Sequence, residues 1–159
     1  MNLRIAVTAD AVRVPLARHR IAEIARAVLR AEHAPATWLS ITFVSADHIA
    51  AMNARHLGHA GATDVISFAL SPHGRDTPPT GDIYIAPDVA RRNAAKHGST
   101  IREEIALLVV HGVLHVLGHD HPNDARRVAS RMWRRQEALV ESLAPLHSPR
   151  RRKSTGTAA

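Results

Sequence analysis

EEIALLVVHGVLHVLGHDH, residues 103–121, contains the decision about the fold. Ile105, Leu107, Leu108, Val109, Val110, Leu114 and Leu117 leave almost no polar face on a helix, so this segment belongs in an interior. Thr100 and Glu103 match a capping box at its start, and Gly118 stops it. A helix that is apolar all round needs cover on every side, and the remaining segments must supply it.

They do so with strands and amphipathic helices. Residues 3–8 (LRIAVT), 38–44 (WLSITFV), 64–70 (DVISFAL) and 81–86 (GDIYIA) carry strand patterns. After Pro15, the positions Ile21, Ile24, Ala25, Val28 and Leu29 repeat at helical spacing. Ser45 or Asp47 can cap a helix running to about His56, followed by a loop, LGHAGA. SPHGRDTPPTG reads as loop. Pro87 and Asp88 open a helix that Gly98 closes, and a last helix is expected from about Asp124 to Leu143. The predicted fold is α+β: a single domain over 1–147, with a four-stranded mixed sheet, about five helices and a metal site at the end of the buried helix. Residues 148–159 read as a basic disordered tail.

The end of the buried helix carries the chemistry. His111 and His115 stand at i and i+4, with β-carbons roughly 5–6 Å apart on one face. Beyond Gly118 the chain is free to bring His121 back as a third ligand. This spacing is that of the metzincin zinc motif, and the chain has no cysteine to offer a thiolate. Three neutral imidazoles suit one Zn2+ per chain and leave a fourth position open. Unpaired imidazoles on a buried face would otherwise be costly. His119 is a spare, expected at the rim or behind the ligands.

Gly112 stands where zinc proteases carry their general-base glutamate, so that mechanism is not available as written. Glu104 is on nearly the same face but about 10 Å away along the axis, and it also suits the helix N-terminus. Asp120 could orient a histidine from behind. What such a metal still supplies is polarisation of an oxygen and a bound water whose pKa is lowered to about 7.

Composition narrows the class. Hydrophobic content of 45% and charged content of 22% fit an ordinary globular protein. The five aromatics, Trp38, Phe43, Phe68, Tyr84 and Trp133, are too few to suggest a base-stacking sheet. The formal charge is +7, but the tail holds Arg150, Arg151, Arg152 and Lys153 without an acid, so the body is only mildly basic. The N-terminal residues do not read as a signal peptide, and no segment approaches a membrane span. A cytoplasmic protein is expected.

HGVLHVLGHDH, MNARHLGHAGATDVISF at 52–68, GDIYIAPDVARRNA at 81–94 and EEIALLVVHGVLH at 103–115 together resemble the YbeY endoribonucleases, bacterial ribosomal RNA maturation factors. The likeness covers roughly residues 38–140 in order. It implies the family's α+β fold and zinc ligands at His111, His115 and His121. The implied activity is metal-dependent cleavage of single-stranded RNA, in 16S ribosomal RNA 3′-end maturation and ribosome quality control. The implied partners are precursor ribosomal RNA and the ribosome or its subunits. Thr63, Asp64, Ser67 and Phe68 would line or support the cleft, and Asp64 and Ser67 equally suit a strand end. Leu57 stands where many members carry an arginine, and neither Arg55 nor His59 occupies that position, though either could approach the cleft. Ala62 replaces a common proline and His119 a frequent tyrosine.

Arg127, Arg131, Arg134 and Arg135 fall on neighbouring turns of the expected last helix, as a solvated face or a phosphate-binding stripe. Two other functions stay open. One is a zinc-stabilised ribosome-assembly or RNA-binding protein without hydrolytic activity, whose metal would be closed by a fourth ligand. The other is a metal-dependent peptidase or amidohydrolase, which Gly112 disfavours. The nucleophile, water or a 2′-hydroxyl, is not decided by the sequence.

Overall fold

Period-two alternation builds the four strands, and their register stacks the apolar rows. The computed structural model describes residues 2–70 and 78–148. Strands β1 (Leu3–Ala9), β2 (Thr37–Phe43), β3 (Val65–Leu70) and β4 (Thr80–Ile85) lie in the order β1-β2-β4-β3. β1, β2 and β4 are parallel, and β3 is antiparallel to β4. The sheet is therefore mixed, as expected. In register, Val7, Ile41, Ile83 and Ser67 form one cross-strand row on the core face, and Ala9, Phe43, Ile85 and Val65 form the next. Most of the expected 148–159 tail, from residue 149, and the loop stretch 71–77 lie outside the described residues.

Six α-helices surround the sheet among the described residues: α1 (Arg18–Ala31), α2 (Ala46–Met52), α3 (Pro87–His97), α4 (Ile101–Val116), α5 (Arg131–Ser142) and the short α6 (Ala144–His147). Helix α4 is the axis. It packs against α1, α3, α5, β3 and β4, and eleven of its residues are buried. Thr100 Oγ1 accepts from the Glu103 amide at 3.2 Å. None of the described helices is long and apolar enough to cross a membrane.

Two helix expectations need correction. The helix capped by Ser45, whose side chain accepts from His48 N, is α-helical only to Met52. A π-helical turn follows over Asn53–Leu57, closed by Gly58 at φ 66°. The last helix does not run from Asp124. A 3-10 turn over Ala125–Ala129 comes first, and Ser130 in extended conformation then caps α5 by accepting from Trp133 N. A second N-cap residue inside the span restarts the helix, because its hydroxyl competes for the amides of the next turn. The expected arginine stripe breaks up accordingly. Arg127 sits in the 3-10 turn, Arg135 pairs with Glu32 of α1, and Arg131 and Arg134 face solvent.

The approach of α4 to β4 is set by missing side chains. A Cβ on Gly81 would lie 2.4 Å from Val116 Cγ1, and one on Gly112 would lie 2.8 Å from Ile83 Cγ2. Gly81→Ala should therefore cost about 1–3 kcal/mol in denaturant unfolding through overpacking. Val116→Ala introduced alongside should recover part of it; if the double substitution costs the full sum of the singles, this contact is not the cause.

Candidate metal centre

The chain leaves α4 through a two-bond reversal. Gly118, at φ 97°, donates its amide to the His115 carbonyl, and the His119 amide reaches the Leu114 carbonyl, both at 3.0 Å. This is a Schellman closure, and the left-handed residue it requires is why glycine stands there. Asp120 Oδ1 accepts from the His121 amide at 2.8 Å. Asp120 thus shapes the backbone and does not hold a ring. The turn returns His121 to the helix end, and the three imidazoles come together with ring centroids 4.6, 5.2 and 5.0 Å apart.

Each ring is held by its Nδ1. His111 Nδ1 lies 2.7 Å from Gln136 Oε1, His115 Nδ1 is 3.0 Å from the His119 carbonyl, and His121 Nδ1 is 2.9 Å from the Pro122 carbonyl. Those oxygens only accept, so each Nδ1 carries the proton and donates it. A neutral ring then keeps a bare lone pair on Nε2. One ring nitrogen from each histidine lies within 4.8 Å of the other two. The Nε2 atoms of His115 and His121 are 3.2 Å apart. Two bare lone pairs at that distance repel, and a shared cation removes the repulsion. The donor set, three neutral nitrogens without a carboxylate, fits zinc.

Electrostatics keeps the His111 and His115 rings neutral. Burial, with His115, His121 and Arg127 nearby, pushes the His111 pKa from 6.5 down to about 4, against the Gln136 hydrogen bond. Burial and His121 lower that of His115 as well. His119 is not part of the triad. Its ring Nε2 is 3.1 Å from Glu32 Oε2, and Glu32 also accepts from Arg135. Burial works against ionisation of Glu32, but Arg135 and His119 outweigh it and lower its pKa. Glu32 thus ties α1 and α5 to the loop whose carbonyl orients His115.

A cavity of about 550 Å³ adjoins the centre, lined by His111, Asp64, Asn93, Glu104, Trp133 and Gln136 among others. Asp64 Oδ2 accepts from Asn93 Nδ2 at 3.1 Å, and Thr63 Oγ1 lies 3.5 Å from Asp64 Oδ1. Glu104 is 5% exposed, and burial raises its pKa. Its carboxylate faces Ser99 and His97, so it belongs to the cavity wall and not only to the helix start. Ser67 Oγ sits 3.2 Å from where a Gly112 Cβ would be, which makes it a packing contact of α4. Phe68 points to the other sheet face, edge-on to His56 and Tyr84. Arg55 and His59 are exposed, on and just past the π-helical turn, and are not among the cavity's lining residues. Leu57 is 47% exposed.

Gln136 was not foreseen. Its signal was a lone amide between Met132 and Leu139 on the buried stripe of α5. Its own Nε2 is buried without a partner, a cost that marks the amide as serving His111 rather than stability.

The endoribonuclease YbeY family model matches residues 6–144. The chain belongs to the YbeY family. A relative named endoribonuclease YbeY from Frankia casuarinae is 38% identical over 136 residues, covering 77% of this chain and 66% of that one. Another, from Thermobifida fusca, is 37% identical over 127 residues, covering 74% and 82%. The solution structure of TM1509 from Thermotoga maritima superposes with a TM-score of 0.62 at 25% identity, covering 89% of each chain. The matched span includes the three converging histidines.

Two outcomes follow from this geometry. Gln136→Leu removes the acceptor behind His111 and should weaken zinc binding about 10- to 100-fold in competition with a chelating dye, while Gln136→Glu retains it. Metal-free protein should lose stability as pH falls from 6.5 towards 4, where the unfolded chain takes up a proton that folded His111 refuses. The loss is on the order of 3 kcal/mol, and thermal melts that stay level across that window would contradict it.

Proposed function

We propose that the protein is a zinc-dependent endoribonuclease that cleaves single-stranded RNA. Its setting is the cytoplasm, in maturation of the 16S ribosomal RNA 3′ end and in ribosome quality control, with precursor ribosomal RNA and the ribosome as partners. The observation that carries this reading is the convergence of three unprotonated ring nitrogens, two of them 3.2 Å apart. His111, His115 and His121 would hold the ion. When bound, zinc would supply Lewis acidity toward a phosphodiester oxygen and a site for activating a nucleophile.

The chain's own residues do the remaining work. Gln136 and the carbonyls of His119 and Pro122 fix the three rings in one tautomer. Gly112 leaves position 112, where zinc proteases carry their general-base glutamate, without a carboxylate, which argues against a peptidase. The zinc-stabilised assembly protein needs a fourth protein ligand, and only three candidate groups converge among the described residues. Asp64 remains the candidate for handling substrate in the adjoining cavity, whereas the packing of Ser67 and the exposure of Arg55 and His59 give them weaker support.

Zinc-loaded protein should cut single-stranded RNA and spare duplex. His111→Ala and His115→Ala should each lower cutting by at least about 100-fold, given what loss of a principal catalytic element costs. Residual cutting unchanged in both variants, or zinc-stoichiometric protein that hydrolyses peptides but not RNA, would overturn the proposal.

A further inference from the structure

The cavity beside the centre has a composition that metal binding does not explain. At about 550 Å³ it falls within the roughly 300–1,000 Å³ of sites that take small organic groups. His111 forms part of its wall, and the ring's other nitrogen belongs to the triad. An occupant would therefore lie about one imidazole away from the reacting centre.

Two features of the wall select the occupant. One is aromatic: Trp133 of α5, half-buried, with the Arg127 guanidinium 5.5 Å from its ring centroid. The other is acidic: Asp64, Glu104 and Glu137 line the cavity, faced by the Arg127 guanidinium and by the His97 ring 3.6 Å from the Glu104 carboxylate. Asp64 is near enough for its charge to act on Glu104, and Asn93 fixes the direction of the Asp64 carboxylate. A phosphate would meet this acidic wall unfavourably. A flat ring bearing N–H donors would stack on the indole and donate to a carboxylate.

We propose that this cavity is a base pocket. It receives one unstacked nucleobase that carries an exocyclic amino group, namely adenine, cytosine or guanine, from the RNA strand whose neighbouring phosphodiester reaches the centre. Single-stranded RNA is commonly read in this way, by stacking on aromatic side chains and hydrogen bonding at the base edge. Trp133 supplies the stacking face, and Asp64 accepts from the amino group. Adenine and cytosine present an amino group where uracil presents its C4 carbonyl, and guanine carries one at C2; uracil has none, so its carbonyl oxygens meet the carboxylates with like partial charge. The inference rests on the endoribonuclease reading for its biological meaning, but the pocket can be probed without cleavage.

The chain has two tryptophans, and Trp38 projects from the sheet face opposite the core. Trp38→Phe protein therefore reports on Trp133 alone. Titrated with free nucleosides, its fluorescence should be quenched by cytidine and adenosine, with uridine weaker by about tenfold or more, the scale of one good base-edge pairing. Asp64→Asn in that background should collapse the difference between cytidine and uridine while quenching persists. Should circular dichroism show Asp64→Asn unfolded, Glu104→Gln serves as the second acidic-wall variant and should narrow the same difference. Equal quenching by cytidine and uridine overturns the pocket, as does a preference that survives in the folded variants. Zinc-dependent RNA cutting alongside equal quenching would reject the pocket and leave the nuclease standing. Base-selective quenching without any cutting would do the reverse.

Discussion

Helix α4 lies against the sheet at a separation that two absent side chains define. Gly81 of β4 leaves room for Val116, and Gly112 of α4 leaves room for Ile83 and Ser67. With the helix this close, the row Val7–Ile41–Ile83, buried at Ile41 and Ile83, and the inner face of α4 share one core. A packed interior relaxes only partly when volume is added, so the position of the helix end is fixed rather than adjustable. That matters because His111 and His115 sit on the last two turns of the same helix. Their placement is inherited from the packing of the core.

Fixed backbones would not be enough without fixed rings. An imidazole can rotate and exchange tautomers, and here each ring is committed by one hydrogen bond from Nδ1. The acceptors come from different places: an amide of α5, the carbonyl of His119 and the carbonyl of Pro122. Glu32 braces this arrangement from a distance, gripping Arg135 of α5 and the ring of His119. The cost is a set of lone pairs aimed at one another and a buried amide nitrogen with no partner. Both are intelligible as preorganisation for a cation.

Much of this was legible in the sequence because it depends on local rules. The all-apolar helix, its Thr100 cap, the glycine stop and the i, i+4 pair all follow from backbone periodicity. The mixed sheet followed from four alternating runs. What escaped depends on contacts between distant segments. Gln136 lies 25 residues from His111, and Trp133 reaches the cavity from the first turn of the helix that Ser130 caps. The expected continuous last helix would have aligned four arginines, but a second N-cap residue prevents it. Ser67 looked like a candidate for chemistry, and its neighbour Gly112 turns it into a packing contact. Phe68 was lost to the other face by strand parity alone, since successive strand residues point in opposite directions.

Gly112 also bears on which substrates suit the centre. A glutamate there would overlap Ile83 at its first carbon, so packing excludes a carboxylate from position 112. The acids that do occur, Asp64 and Glu104, line the adjoining cavity together with His111. Three imidazoles, with no carboxylate among the converging groups, would leave a divalent ion's charge largely to be balanced by its remaining ligand. Such a charge in a partly dry site favours an anionic ligand over a neutral one, and a phosphodiester is anionic where a peptide bond is not. Arg127, whose charge acts on His111 and His115, lies against Trp133. Under the proposed function, attraction for the RNA backbone would be concentrated at the histidines, while the acidic cavity next to them would repel phosphate. A strand entering there would be sorted by charge, with its phosphodiester toward the triad and its base toward the indole and carboxylates.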